Sequence, residues 1–173
     1  MTDLFANALL SAEPHPDIPA EHRIFEPFIG SWELVVTWYD AQGGVHRQEQ
    51  GEWHFARVLE GRAIQDVWIV PPRSERTGHA DPYEYGTSLR FFDHAEGAWR
   101  STWLGPQQGA LHSFLARKQG EAVVLETVLG DGRRMRWSFS DIRPDSFIWR
   151  NEREDAGRWT LTQDFAARRI RPA

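Results

Sequence analysis

The chain has no cysteine and only two methionines among its 173 residues, which removes disulfides, Cys-ligated zinc, thiolate nucleophiles and iron–sulfur clusters from consideration. It also lacks any run near the ~20 apolar residues of a membrane-spanning helix. The start, Met1-Thr2-Asp3-Leu4, carries no basic segment leading into an apolar stretch, so a cytoplasmic protein without a membrane partner is expected. There is no long block of one charge sign, and the formal net charge is −5. Nucleic acid is therefore not an expected partner, because phosphate binding requires clustered Lys and Arg.

Several chemical signatures are missing too. The sequence contains no His-Glu-x-x-His, EF-hand loop, P-loop or dinucleotide glycine pattern. Ser88, in Gly86-Thr87-Ser88-Leu89-Arg90, lacks the Gly-x-Ser-x-Gly elbow of serine hydrolases. His46 and His54 share strand parity, but their separation along an extended strand exceeds ~20 Å, too far for one ion. His15 and His22 lie in a proline-broken segment, and His79 and His94 flank turns. No metal site is expected.

What the chain does have is aromatic weight: nine Trp and ten Phe. A tryptophan needs a partner for its N–H, so many together indicate a thick aromatic core or a stacking pocket. Thr2 can cap a helix through Leu4, Phe5, Ala8 and Leu9, which Pro14, Pro16 and Pro19 then end. A second short helix is expected from near Pro19 to about Glu26, with Ile24, Phe25 and Phe28 as its apolar side, forming a lid or plug. From Trp32 onward the segments are rich in aromatic and β-branched residues and are punctuated by turns such as Gln42-Gly43-Gly44, Gly130-Asp131-Gly132 and Asp155-Ala156-Gly157. This pattern predicts strands near 31–39, 46–58, 63–70, 85–93, 98–105, 110–118, 121–129, 133–142, 146–154 and 158–169. The longer segment from Pro71 to Pro82 reads as a loop at one rim. About ten hairpin-linked strands with no helix between them must hide their edges, so the expectation is an all-β, antiparallel up-and-down barrel. At this length it forms one domain over 1–173, a helical lid at 1–29 and a barrel at 30–170.

The stretch Phe28-Ile29-Gly30-Ser31-Trp32 leads into a strand where Trp32, Leu34, Val36 and Trp38 share one face. A Gly-x-Trp at the start of the first strand, after an N-terminal helix, resembles the signature of lipocalins and the wider calycin group. The chain is more similar to bacterial cytoplasmic lipocalin-like domains of unknown function than to true lipocalins. The resemblance implies a barrel around a small-molecule cavity. It also implies that Arg168 or Arg169, on the last strand, packs across the Trp32 ring. Nitrobindin-like haem proteins share the barrel type, but their C-terminal haem-ligating histidine matches no position here, and no cofactor is expected.

Strand parity nominates the residues of a site. Asp66 and Trp68 alternate on one face of the third barrel strand, Ser88 and Arg90 on the fourth, and Arg150 and Glu152 on the ninth. His54 shares a face with Glu52, His112 with Phe114, and Glu126 with Val124. Trp103 stands beside the Gly105-Pro106 turn at an expected rim. With Trp32 they make a candidate ligand-binding set of Trp32, His54, Asp66, Trp68, Arg90, Trp103, His112, Glu126, Arg150 and Glu152. In that reading a hydrophobic or aromatic anion enters the barrel, Arg90 or Arg150 meets its charge, and tryptophan covers its rings. The alternative is a cofactor-free lyase, isomerase or cyclase using Asp66, Glu126, Glu152 or His112 as acid or base. A third reading fills the barrel with its own tryptophans and leaves an interaction module. The aromatic strand faces are compatible with a homodimer, although no residue pattern requires one.

Overall fold

The structure is a computed structural model that describes residues 3–76 and 83–171. After a short helix, α1 (Leu4–Leu9), come β1 (Leu10–Ser11), β2 (Gly30–Tyr39), β3 (Val45–Val58), β4 (Ala63–Val70), β5 (Glu84–Asp93) and β6 (Ala98–Gly105). The chain ends with β7 (Ala110–Gln119), β8 (Ala122–Val128), β9 (Arg134–Arg143), β10 (Ser146–Asp155) and β11 (Arg158–Arg169). Each strand from β2 to β11 pairs antiparallel with its neighbour in sequence, and β11 returns to pair with β2, closing a ten-stranded barrel. The ten barrel strands match those expected from the sequence to within one residue at each end. The two-residue β1 was not expected. It lies on β3 at Val58 and Arg57, beyond the point where Gly30 of β2 begins opposite Phe55.

The inward face of each strand follows its aromatics. Trp32, Leu34 and Val36 of β2, Trp53 and Phe55 of β3, Phe147 and Trp149 of β10, and Phe165 and Ala167 of β11 are all buried. Chain from before the barrel plugs one end. Phe25 and Phe28 are fully buried; Phe28 packs 4.5 Å from the Phe139 ring and Phe25 packs edge-on to Trp99 at 5.3 Å. This segment is not the single helix expected. It forms two 3₁₀ turns, Ala20–His22 and Glu26–Phe28, separated where Arg23 leaves the helical region at φ −77°, ψ 46°. Nor does α1 share in the plug: none of its residues is buried, and Leu4 and Phe5 are exposed. The expected Thr2 cap lies outside the described residues, and Asp3 does the capping, accepting from the Phe5 and Ala6 N–H groups. In the expected 71–82 loop, residues 73–75 form a 3₁₀ turn. Residues 77–82, with His79, lie outside the described residues.

Two polar devices fasten the plugged end. The Arg169 guanidinium lies 4.1 Å from the Trp32 ring centroid and donates to the carbonyls of Ile29, Pro27 and Pro144 at 2.6–2.8 Å. Trp32 in turn donates its Nε1–H to the Phe28 carbonyl at 2.7 Å. Gly30, at φ +124°, makes room, since a Cβ there would lie 2.6 Å from Arg169 Nη1. Of the two arginines considered, Arg169 makes the contact. Deeper inside, Asp66 and Arg90 form an ion pair with side chains 0 and 1% exposed. Asp66 also accepts the Ser88 N–H, and the Arg90 guanidinium rests 4.9 Å from the Phe25 ring.

Two stability predictions follow from this geometry. Arg169→Ala removes three charge-assisted hydrogen bonds and a cation–π contact and is expected to lower unfolding free energy by about 2–4 kcal/mol in urea melts. Arg169→Lys, lacking the planar fork, should recover less than half of that; full recovery would contradict the three-carbonyl clamp. Asp66→Ala strands a buried guanidinium and should cost about 3–5 kcal/mol, whereas Asp66→Leu with Arg90→Met should equal or exceed the parent.

Candidate functional site

Away from the plug the barrel interior opens into a cavity of about 230 Å³. This is below the ~300–1,000 Å³ of sites for drug-sized ligands, and it suits a compound of one or two rings. Its walls are tryptophan. Trp53 of β3, Trp68 of β4, Trp103 of β6, Trp137 of β9 and Trp149 of β10 all line it. Each points inward because it has the parity of the buried residues on its own strand. Trp103 can lie flat across β5 only because residue 86 is glycine, where a Cβ would come within 2.3 Å of the indole.

The polar lining divides into two sides. On β5, Glu84 faces in and its Oε2 accepts the Trp68 Nε1–H at 2.7 Å. Burial pushes the Glu84 carboxyl above its ordinary pKa; the Glu49 charge adds to this, while the Trp68 hydrogen bond and Arg47 oppose it. Across the barrel, His112 of β7 and Asn151 and Arg153 of β10 line the same cavity. Burial, with Arg153 adding to it, pushes the His112 imidazole below its ordinary pKa. One cavity thus holds a carboxyl with a raised pKa and an imidazole with a lowered one, displaced toward each other, a pattern concentrated at functional sites. Arg153 is exposed at the rim and forms no ion pair among the described residues.

The wall also carries unmet hydrogen-bonding capacity. The indole Nε1–H groups of Trp53, Trp137 and Trp149, the Ser88 hydroxyl and the Asn151 Oδ1 are buried and have no partner among the described residues. Each such group costs about 1–3 kcal/mol, and protein interiors hold few of them. Eleven such atoms occur among the described residues, and these five belong to residues that line this cavity; others, such as two Arg90 guanidinium nitrogens and the Ser101 and Ser140 hydroxyls, lie elsewhere.

The structure brings Trp68, Trp103 and His112 of the sequence-nominated set into the cavity wall. Trp32, Asp66 and Arg90 are interior but engaged elsewhere, in the Arg169 clamp and the buried ion pair. The other four are corrected to the outside of the barrel. His54 bonds Ser31 Oγ at 2.9 Å and Glu52 at 3.0 Å, and Glu52 is itself pulled down to about 2 by hydrogen bonds from Arg73. Glu126 pairs with Arg134, and Glu152 with Arg136. Arg150 is exposed opposite Asp164 on β11. Neither arginine expected to meet a ligand's charge is placed to do so, because Arg90 is consumed by Asp66 and Arg150 faces out. Sequence reasoning missed Glu84, Asn151 and Arg153. The signal was present: Glu84 has the parity of Ser88 and Arg90, and Asn151 and Arg153 have the parity of Phe147 and Trp149.

The direction of the Glu84 shift sets a pH dependence. The native carboxyl holds its proton more tightly than the unfolded one, so its contribution to stability is present below the ordinary carboxyl pKa and is lost as pH rises through the raised value. Glu84→Gln cannot ionise. Its melting temperature relative to the parent is expected to climb from pH 4 to pH 7; a flat or falling difference would contradict a desolvated Glu84.

No protein-family model matches the chain, and no curated protein matches it significantly. Solved structures do. The crystal structure of Rv2717c from M. tuberculosis superimposes with a TM-score of 0.59 at 11% identity, covering 92% of this chain and 100% of that one. The S-type phycobiliprotein lyase CPES from Guillardia theta gives a TM-score of 0.56 at 13% identity, covering 87% of this chain and 93% of that one. At these identities the likeness establishes the fold, an antiparallel β-barrel consistent with the lipocalin-like architecture.

Proposed function

We propose that the chain binds a small hydrophobic or aromatic molecule bearing an anionic group, held in the open end of the barrel. The observation that carries this reading is the cavity wall itself, where five indoles and a set of buried, unpartnered polar atoms converge on about 230 Å³. Indole faces suit a flat apolar body. Arg153, at the rim, supplies a planar cation matched to a carboxylate. It takes the role the sequence reading gave to Arg90 or Arg150.

A second reading, cofactor-free acid–base catalysis by a lyase, isomerase or cyclase, is favoured by one observation. Glu84 and His112 line one cavity with pKa values displaced toward each other, as a proton relay near neutral pH requires. A fold neighbour is named as a lyase, but at that identity the likeness extends to the barrel and not to the chemistry.

The test is a panel of aromatic and aliphatic carboxylates followed by tryptophan fluorescence and melting shift. Saturable quenching is expected for aromatic acids. Arg153→Gln should weaken it about tenfold or more, the worth of a charge-assisted hydrogen bond, while Arg150→Gln leaves it unchanged. No saturable response across the panel, or equal effects of the two substitutions, would contradict the proposal.

A further inference from the structure

The unpartnered atoms of the cavity specify more than a body and a charge. Three indole N–H groups, from Trp53, Trp137 and Trp149, can only donate. Trp53 and Trp149 are each 5% exposed, so water does not meet these donors freely. The Ser88 hydroxyl, on a residue 1% exposed, is equally unpartnered. Against them stand two acceptors, Asn151 Oδ1, which has no partner among the described residues, and the Glu84 carboxyl, which already accepts from Trp68 and Trp38.

A ligand group that satisfies this wall must both accept and donate. A carbonyl or ether oxygen accepts from the indoles but offers nothing to Asn151 or Glu84. An ammonium donates to the carboxyl and leaves three buried N–H groups unmet. A second carboxylate would be buried beside Glu84 with no uncommitted cation, since Arg153 is at the rim, Arg90 is held by Asp66 and Arg47 pairs with Glu49. A hydroxyl does both, accepting from two of these donors and giving one hydrogen bond in return. It also matches Glu84 in either protonation state, donating to the carboxylate or accepting from the acid.

Resting on the binding reading above, we infer that the ligand is a hydroxyaromatic acid. Its ring lies among the indoles, its carboxylate meets Arg153 at the rim, and its hydroxyl is buried among the Trp53, Trp137 and Trp149 N–H groups, Ser88, Asn151 and Glu84. The cavity volume admits one ring with a short acid arm. Discrimination against an analogue without the hydroxyl is expected to be strong, because a wall built to pair with a hydroxyl leaves its own buried groups unmet when the hydroxyl is missing.

The experiment is calorimetric titration of the full chain at pH 7 with 4-hydroxycinnamate, 4-methoxycinnamate and cinnamate. The hydroxy acid is expected to bind at least tenfold more tightly than either of the others. Trp149→Phe and Asn151→Leu should each shrink that advantage, read as the ratio of hydroxycinnamate to cinnamate affinity in the same variant, at least threefold. If a variant does not fold, the three-ligand series on the unaltered chain decides alone. Equal affinities for the three acids would overturn the hydroxyl assignment and leave the binding reading standing. Absence of binding by all three would overturn both.

Discussion

A ring of ten strands encloses more space than its own inward side chains fill easily, because barrel diameter grows with strand number. Everything inside this chain is an answer to that constraint. One half of the interior is filled by rings: Phe25 and Phe28 enter from outside the strand sequence and stack with Phe55, Trp99, Phe139 and Phe147. The other half is walled by indoles that pack against one another around the cavity, Trp137 and Trp149 5.5 Å apart and Trp68 and Trp149 6.3 Å apart. The plug thereby decides where the cavity is, and the Arg169 clamp on Ile29, Pro27 and Trp32 decides where the plug sits.

The same division separates polar groups that are finished from polar groups that are not. At the plugged end the tryptophan N–H groups are used: Trp32 donates to Phe28 and Trp99 to the His22 carbonyl, each at 2.7 Å. Asp66 and Arg90 neutralise each other between the two halves. Toward the open end, three indoles, a serine and an asparagine carry unmet capacity at a cost in folding energy. The fold thus satisfies the tryptophans named at its plugged end and leaves three of the five cavity indoles without a partner among the described residues, Trp68 being met by Glu84.

How much of this could be read from the sequence depends on the scale. Hairpin spacing and alternation placed all ten barrel strands, and Gly30-Ser31-Trp32 with Arg169 marked the plugged end. The site was half legible. Parity states which residues share a face but not which face is inside, and following the charged residues of β10 chose Arg150 and Glu152, which point out. Following the largest aromatics would have chosen Phe147 and Trp149, and with them Asn151 and Arg153. The same rule applied to β3 puts Trp53 inside and His54 outside. The plug was misread as a helix because apolar spacing alone does not reveal the break after Arg23 between its two turns.

The central claim is that the indoles of the open end, and not those of the plugged end, meet a guest molecule. The most direct measurement follows the tryptophan side-chain N–H resonances during titration with an aromatic carboxylate. The account predicts that the Trp53, Trp137 and Trp149 signals move together and saturate while those of Trp32 and Trp99 stay fixed. Movement confined to Trp32 and Trp99, or none in the three cavity indoles at saturating acid, would contradict it.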